Sequence, residues 1–177
     1  MQTTIHIRTA ILSDAAAVCD LLRNSILQSC IQDHKNDPAI LSGWLGNKNT
    51  DTVGAWLASP SNYSVVAEMG RQIVGIALLT DKGKIALIYV SPNLQQAGIG
   101  KRLLCALEEQ AVAWNLPMVQ IASTSTAQTF FLQQEYKVLG EASSCFGIQT
   151  SLLGKRITVK SNASQRVPGR CKCSAES

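Results

Sequence analysis

The sequence predicts an α+β fold in which helices pack against a single central sheet, mixed but mostly antiparallel. Three observations carry this prediction. Strand-like runs stand close together at 63–68, 72–80 and 84–90, joined by the short turn segments Met69-Gly70-Arg71 and Asp81-Lys82-Gly83. After Gly98, residues Leu103, Leu104, Leu107, Ala111 and Trp114 fall on one face of a helix. Beyond that helix, strand, helix and strand signals follow one another to about residue 157.

The remaining elements follow in order. Residues 4–8 alternate Ile5 and Ile7 with polar neighbours and form a short strand. Ser13-Asp14 offers a helix cap, and Ala17, Val18, Leu21, Leu22, Ile26 and Leu27 follow at helical spacing. The segment from Asp33 to Asp51 is polar and irregular, broken by Pro38 and Gly43, with room for a short helix over 39–45. A helical turn at 53–58 ends at Ser59-Pro60-Ser61-Asn62. Later elements are a strand at 117–122, a helix at 126–134, a strand at 136–141 and a last strand within 145–157. From about Lys160 the apolar period is lost, so residues 1–158 read as one domain and 159–177 as a basic, disordered tail.

Composition excludes several classes. The net charge of +4 divides unevenly: residues 1–150 hold ten Lys/Arg and eleven Asp/Glu, whereas 151–177 hold six and one. The body therefore has no basic surplus of the kind nucleic acid requires, and the tail lacks interleaved aromatics. The six cysteines form no Cys-x-x-Cys, and Cys171-Lys172-Cys173 has neither zinc spacing nor a neighbouring His. No metal is expected. No apolar run approaches a membrane span and no signal segment opens the chain, so a reduced, cytoplasmic protein is expected.

The stretch from Leu87 to Leu104 carries the chemistry: an apolar strand, a break at Pro92, a loop bearing Gly98 and Gly100, then a helix with Lys101 and Arg102 in its first turn. Glycines let a backbone approach a ligand closely, and a helix start presents unpaired N–H groups and the positive dipole end, a combination that suits phosphate. A P-loop would need Gly-Lys-Ser/Thr, but Arg102 follows Lys101 and no glycine stands five residues before Gly100. A dinucleotide turn would need three glycines after the first strand, and only two follow a fourth strand here. An ordinary strand-to-helix turn is the plain alternative, as a solvated helix face is for Lys101 and Arg102.

Gln95-x-x-Gly98-x-Gly100 after Tyr89-Val90-Ser91-Pro92 resembles the acyl-CoA pyrophosphate loop of GNAT-type N-acetyltransferases. The segment from Ala122 to Tyr136, with Ala127-Gln128-Thr129-Phe130-Phe131, resembles that family's Ala-x-x-Phe-Tyr-x-x-x-Gly-Phe signature, and the opening Ile7-Arg8 followed by Asp14 is similar to the family's beginning. The resemblance covers about residues 4–150. It implies a three-layer fold whose fourth and fifth strands splay apart to admit the pantetheine arm of acetyl-CoA, the acetyl donor. Tyr89 and Val90 would line that arm, and Val90 N–H would receive the oxyanion. Gln95, Gln96, Ala97, Gly98, Ile99 and Gly100 would wrap the pyrophosphate, aided by Lys101 and Arg102, with Ser123 and Phe131 also beside the cofactor.

Two departures from the family pattern stand out. Phe131 occupies the position of a Tyr that donates a proton to the CoA sulfur, leaving water, another hydroxyl or unassisted thiolate departure. Gln96-Ala97 replaces a frequent Gly-Arg/Lys pair, while Tyr136 takes the position of a Phe. No carboxylate lies on 84–90, so the base candidates are Glu68, Tyr89 through water, and Asp33 or His34, the last also readable as an exposed loop residue. His6 has no catalytic context, and Trp44 and Trp56 suit either an acceptor pocket or the core. The expectation is direct transfer of acetyl from acetyl-CoA to an amine of a small molecule or protein; the competing one is a non-catalytic acyl-CoA sensor. Exposed sheet edges suit a homodimer.

Overall fold

A computed structural model describes residues 4–143 and 146–158. The expected disordered tail at 159–177, with Cys171 and Cys173, lies outside the described residues, as does Cys145. Strand β1 (Ile5–Thr9) leads through a 3-10 turn to helix α1 (Ala15–Ser29), followed by α2 (Ile31–His34), α3 (Pro38–Leu45) and α4 (Thr50–Ala58). Strands β2 (Asn62–Met69), β3 (Gln72–Thr80) and β4 (Ile85–Val90) come next. Helix α5 (Ile99–Ala113), β5 (Met118–Thr124), α6 (Ser125–Gln133), β6 (Lys137–Ser143) and β7 (Gln149–Arg156) complete the order. The short helix expected over 39–45 is present as α3, started by Asp37, whose carboxylate accepts from Ala39 and Ile40 N–H, and the rest of the segment expected to be irregular also takes in the end of α2 and the start of α4. Pro38 stands in the first turn of α3, where it stabilises the helix.

The expected single sheet is two. One has the order β1-β2-β3-β4 and the other β5-β7-β6, with every pair antiparallel. They meet through one parallel bridge, Lys84 to Gln120, closed by Gln120 N–H to Gly83 O at 2.8 Å. The register supplies a reason for their divergence. Leu78 pairs with Leu87 and Leu79 with Ile85, so Ala86 is an extra residue in β4, two positions beyond the bridge. Such a bulge bends its strand, and β4 leaves β5 there.

The first sheet is covered on both faces. Val65, Ala67, Ala77 and Leu79 pack with Leu103, Leu104 and Leu107 of α5, while Val66, Ile76 and Leu78 pack with Val18 and Leu22 of α1 and Val53 of α4. Burial on both sides explains why β3 is apolar nearly throughout. A smaller cluster of Ile26, Cys30, Trp44 and Ile148 ties α1 and α3 to the start of β7. Among the described residues no helix is long and apolar enough to cross a membrane, and no group of three His, Cys, Asp or Glu could hold a metal.

Candidate active site

The gap between β4 and β5 is where backbone groups escape the sheet. Ser91 N–H bonds Val74 O at 2.8 Å, one step beyond the Val90–Gly75 pair. That pair is therefore of the non-hydrogen-bonded kind, and Val90 N–H and C=O point away from β3 into the gap. The Val90 carbonyl accepts from Ser25 Oγ–H at 3.1 Å, so α1 fixes the plane of this peptide. Ile88 and Val90 side chains face the α5 cluster, whereas Leu87 and Tyr89 face α1 and α3.

Beyond Val90, a 3-10 turn at Pro92–Leu94 leads to Gln95, and the chain enters α5 through two left-handed residues, Gln96 at φ 65° and Gly98 at φ 76°. A Cβ at Gly98 would meet nothing within 4 Å, so the glycine serves its backbone angle and leaves the space beside it open. The N-cap offers no side-chain acceptor, and the first bond of the helix runs from Arg102 N–H to Gly98 O at 3.2 Å. The N–H groups of Ile99, Gly100 and Lys101 thus have no intrahelical acceptor at the positive end of a 15-residue helix. Gln95, Gln96, Ala97, Gly98, Lys101 and Arg102 are exposed around them.

Helix α6 closes this side with Phe130, whose ring edge lies 3.4 Å from where a Cβ of Gly100 would stand. Phe131, the residue expected beside the cofactor, is fully buried in the core, edge-on to Phe130 and Tyr136 with centroids 5.0 and 5.3 Å apart. Neighbouring residues on a helix point about 100° apart, and here the phase turns Phe130 toward the loop and Phe131 inward. Ser123 is buried, with Oγ–H bonding Thr124 O at 3.0 Å. Burial pushes the Tyr136 phenol well above the usual range, with Glu108 adding to the shift.

The opposite face of the gap holds a cavity of about 420 Å³. Its walls are Ala86, Leu87 and Tyr89 of β4, Ala122 and Thr124 of β5, Trp44 and Trp56 of α3 and α4, and Phe146 beside β7. The two tryptophans therefore serve cavity and core together. Burial raises the Tyr89 phenol well above its usual value, helped by Cys30 and Asp33 and opposed by Trp44. Tyr89 is thus a proton donor near neutral pH, which disfavours the role of base expected for it.

The other base candidates are committed elsewhere. Glu68 accepts from Arg8 Nε–H at 2.9 Å, and Arg8 also grips both oxygens of Asp14 at 2.7 and 3.0 Å. Glu68 is therefore part of an ion-pair chain two strands away from β4. His34, read as a loop residue or a base, is fully buried in α2. Its Nε2 stands 3.1 Å from Ile26 O and its Nδ1 accepts from Asn36 N–H at 3.0 Å. With both ring nitrogens engaged, it has no lone pair to offer a substrate. Asp33 binds Thr126 N–H at 3.2 Å, capping α6 across space, while its second oxygen is buried without a partner among the described residues. His6 is exposed on β1.

The family model described as an acetyltransferase (GNAT) domain matches residues 41–150, more than half of the chain. Solved structures share the fold. A GCN5-related N-acetyltransferase from Rhodopseudomonas palustris aligns with TM-score 0.79 and 20% identity over 88% of this chain and 98% of that one. The PaiA N-acetyltransferase of Thermoplasma acidophilum, in complex with coenzyme A, gives 0.72 and 15% over 86% and 99%. The yncA protein of Salmonella typhimurium, with its cofactor acetyl-CoA, gives 0.67 and 19% over 96% and 100%. No curated protein sequence matches the chain. The architecture is that of the GNAT acetyltransferases, α+β with a divided antiparallel sheet. The chain belongs to that family and is an acyltransferase.

Proposed function

We propose that this acyltransferase moves the acetyl group of acetyl-CoA directly onto an amine held in the cavity beside Tyr89. When bound, acetyl-CoA supplies an activated acyl carbon: the amine nitrogen bonds to it, the C–S bond breaks, and the proton lost by nitrogen balances the released thiol. The observation that carries the reading is the turn of Val90 N–H into the gap between β4 and β5, with the carbonyl of the following peptide, Val90 C=O, held by Ser25. That donor would stabilise the carbonyl oxygen as it gains charge.

The open start of α5 fits a diphosphate. Backbone N–H groups from Gln95 to Lys101 would donate to it, and the exposed Lys101 and Arg102 would add charge. Phe130 would flank the bound arm on the α6 side, taking the place expected for Phe131, with Ser123 supporting the end of β5. The Tyr89 hydroxyl would offer the leaving sulfur a hydrogen bond, while burial, which makes this phenol a weaker acid, leaves the amine as the source of the thiol proton. No freely placed carboxylate base is needed if the amine arrives neutral. The exposed edge of β6 would supply the contact of a homodimer.

The test is thiol release from acetyl-CoA with an amine panel, alongside melting temperature at saturating acetyl-CoA. A rise in melting temperature together with amine-dependent thiol release is expected. Acetyl-CoA binding without turnover of any amine would favour the sensor reading, and no binding would remove both. Val90→Pro deletes the gap-facing N–H and should lower kcat by about 10²-fold; unchanged kcat would remove Val90 from the chemistry.

A further inference from the structure

The walls of the cavity beside Tyr89 narrow the acceptor, an inference that rests on the acetyl-transfer reading above. Among the described residues that form these walls none is Asp or Glu. Several of the polar side chains there are turned to the protein itself. Lys48 is nearly buried, and its Nζ donates to Trp44 O at 3.1 Å and to Asn47 Oδ1 at 2.5 Å. The same ammonium stands 5.5 Å from the Trp56 ring centroid and 5.8 Å from that of Phe146, so it braces the aromatic walls from within. Asn62 Nδ2 donates to Trp56 O, Thr150 Oγ1 donates to Ala142 O, and Thr80 Oγ1 accepts from Lys84 N–H. The surface left to a ligand is mostly apolar, with Ala86 and Ala122 exposed on the two strands.

We infer that the acceptor is a small monoamine carried on an apolar group, with no second charge. The apolar group would lie against Trp56 and Phe146, and the amine would point past Tyr89 toward Val90. Removal of apolar area from water would drive binding, so affinity grows with that group until the cavity of about 420 Å³ is full. A second ammonium on the acceptor would be stripped of water with no carboxylate to meet it, a cost that acts against diamines and polyamines. The same walls prepare the nucleophile. An ammonium entering them loses hydration without gaining a counter-ion, so its pKa falls and it gives its proton to water before attack. A cavity without a carboxylate thereby supplies the neutral amine that the reaction needs.

The test is kcat/KM for a graded set of acceptors, measured by thiol release from acetyl-CoA. From propylamine to hexylamine it should rise about three- to fourfold with each methylene. Butylamine should exceed 1,4-diaminobutane, whose second ammonium stays inside the cavity, by at least about tenfold. Trp56→Ala should flatten the alkyl series, its folding checked by melting temperature. Ala122→Asp, at an exposed position of β5, adds a carboxylate to the wall and should shift the ratio toward 1,4-diaminobutane by about tenfold. Because this variant gains an activity, it carries the test if Trp56→Ala folds poorly. A flat series in the wild type, equal or better use of the diamine, or a ratio unmoved by Ala122→Asp would overturn the inference, while thiol release with any amine would leave acetyl transfer standing. Failure of acetyl-CoA to raise the melting temperature would overturn acetyl transfer and the inference with it.

Discussion

Glu135 sits at φ 68° directly after α6, in the left-handed region that favours glycine, at the position where the family signature has Gly. The side chain is exposed and its ion pair with Lys155 spans 3.8 Å, so little offsets the strain. Glu135→Gly is expected to stabilise the fold by about 0.5–1 kcal/mol, read as a higher denaturant midpoint. A lower midpoint would mean that the Lys155 contact outweighs backbone strain. Gln96 repeats the pattern in the loop, at φ 65°, also a left-handed angle that favours glycine. His34 makes the contrasting case. His34→Ala leaves a cavity beside Trp44 and removes the ring's bonds to Ile26 O and Asn36 N–H and should cost roughly 2–4 kcal/mol. Turnover measured well below the melting temperature should stay within about threefold. A large loss of kcat at normal stability would return His34 to the list of bases. The sequence offered no sign of its burial, because α2 is a single turn without apolar period. Phe130 and Phe131 stood side by side in a recognisable motif, yet which of them faces the loop depends on helix phase.

At the scale of elements, the junction of β4 and β5 deserves the closest test. Gly83 has φ 80°, and a Cβ there would fall 2.5 Å from Met118 O, a backbone atom that cannot move aside cheaply. Gly83→Ala should therefore destabilise the fold by about 2–3 kcal/mol and raise KM for acetyl-CoA by altering the gap. An unchanged melting temperature and KM would show that the junction yields freely. Most elements were legible because β2, β3 and α5 carry strong periods and turn residues separate them. The family resemblance implied splayed fourth and fifth strands, but the hydrophobic pattern alone read as one sheet for a physical reason: the division depends on one extra residue, Ala86, in an apolar run that reads as a continuous strand. The glycine-bearing entry to α5 was readable from local spacing, since Gly98 and Gly100 mark a loop before an amphipathic helix. The cavity was not, since Lys48, Tyr89, Thr124 and Phe146 come together only in three dimensions.

Across the whole molecule, acid stability reports on the chain of charges from Asp14 through Arg8 to Glu68. Hydrogen bonds from Arg8, aided by Ile11 N–H and opposed by burial, hold the Asp14 carboxyl below its usual value. Folded Asp14 therefore binds a proton less readily than unfolded Asp14. Its stabilisation is complete above the ordinary carboxylate pKa of about 4 and is lost as pH falls through the lowered folded value. Asp14→Asn should cost about 1–3 kcal/mol at neutral pH and flatten the decline of melting temperature below about pH 4. A parallel decline in wild type and variant would assign the acid limb to other carboxylates. The pairing links β1 and β2 to the start of α1, so its loss loosens the scaffold on which Ser25 and the β4 edge depend.

The lone Lys84–Gln120 bridge has a consequence for how the molecule comes apart. Among the described residues one backbone link joins β1-β2-β3-β4 to β5-β7-β6, so the shared side-chain core under α5, with Val65 and Leu79 against Val119 and Leu153, must do most of the work of holding them together, and local opening is expected to start at β5-β7-β6. A pantetheine arm in the gap would act as a borrowed strand splicing them. Amide hydrogen exchange should show β5, β6 and β7 opening at lower free energy than β2 and β3 without acetyl-CoA, the two rates converging when it is saturating. Uniform protection in its absence would mean that α5 and α6 already weld the halves into one folding unit.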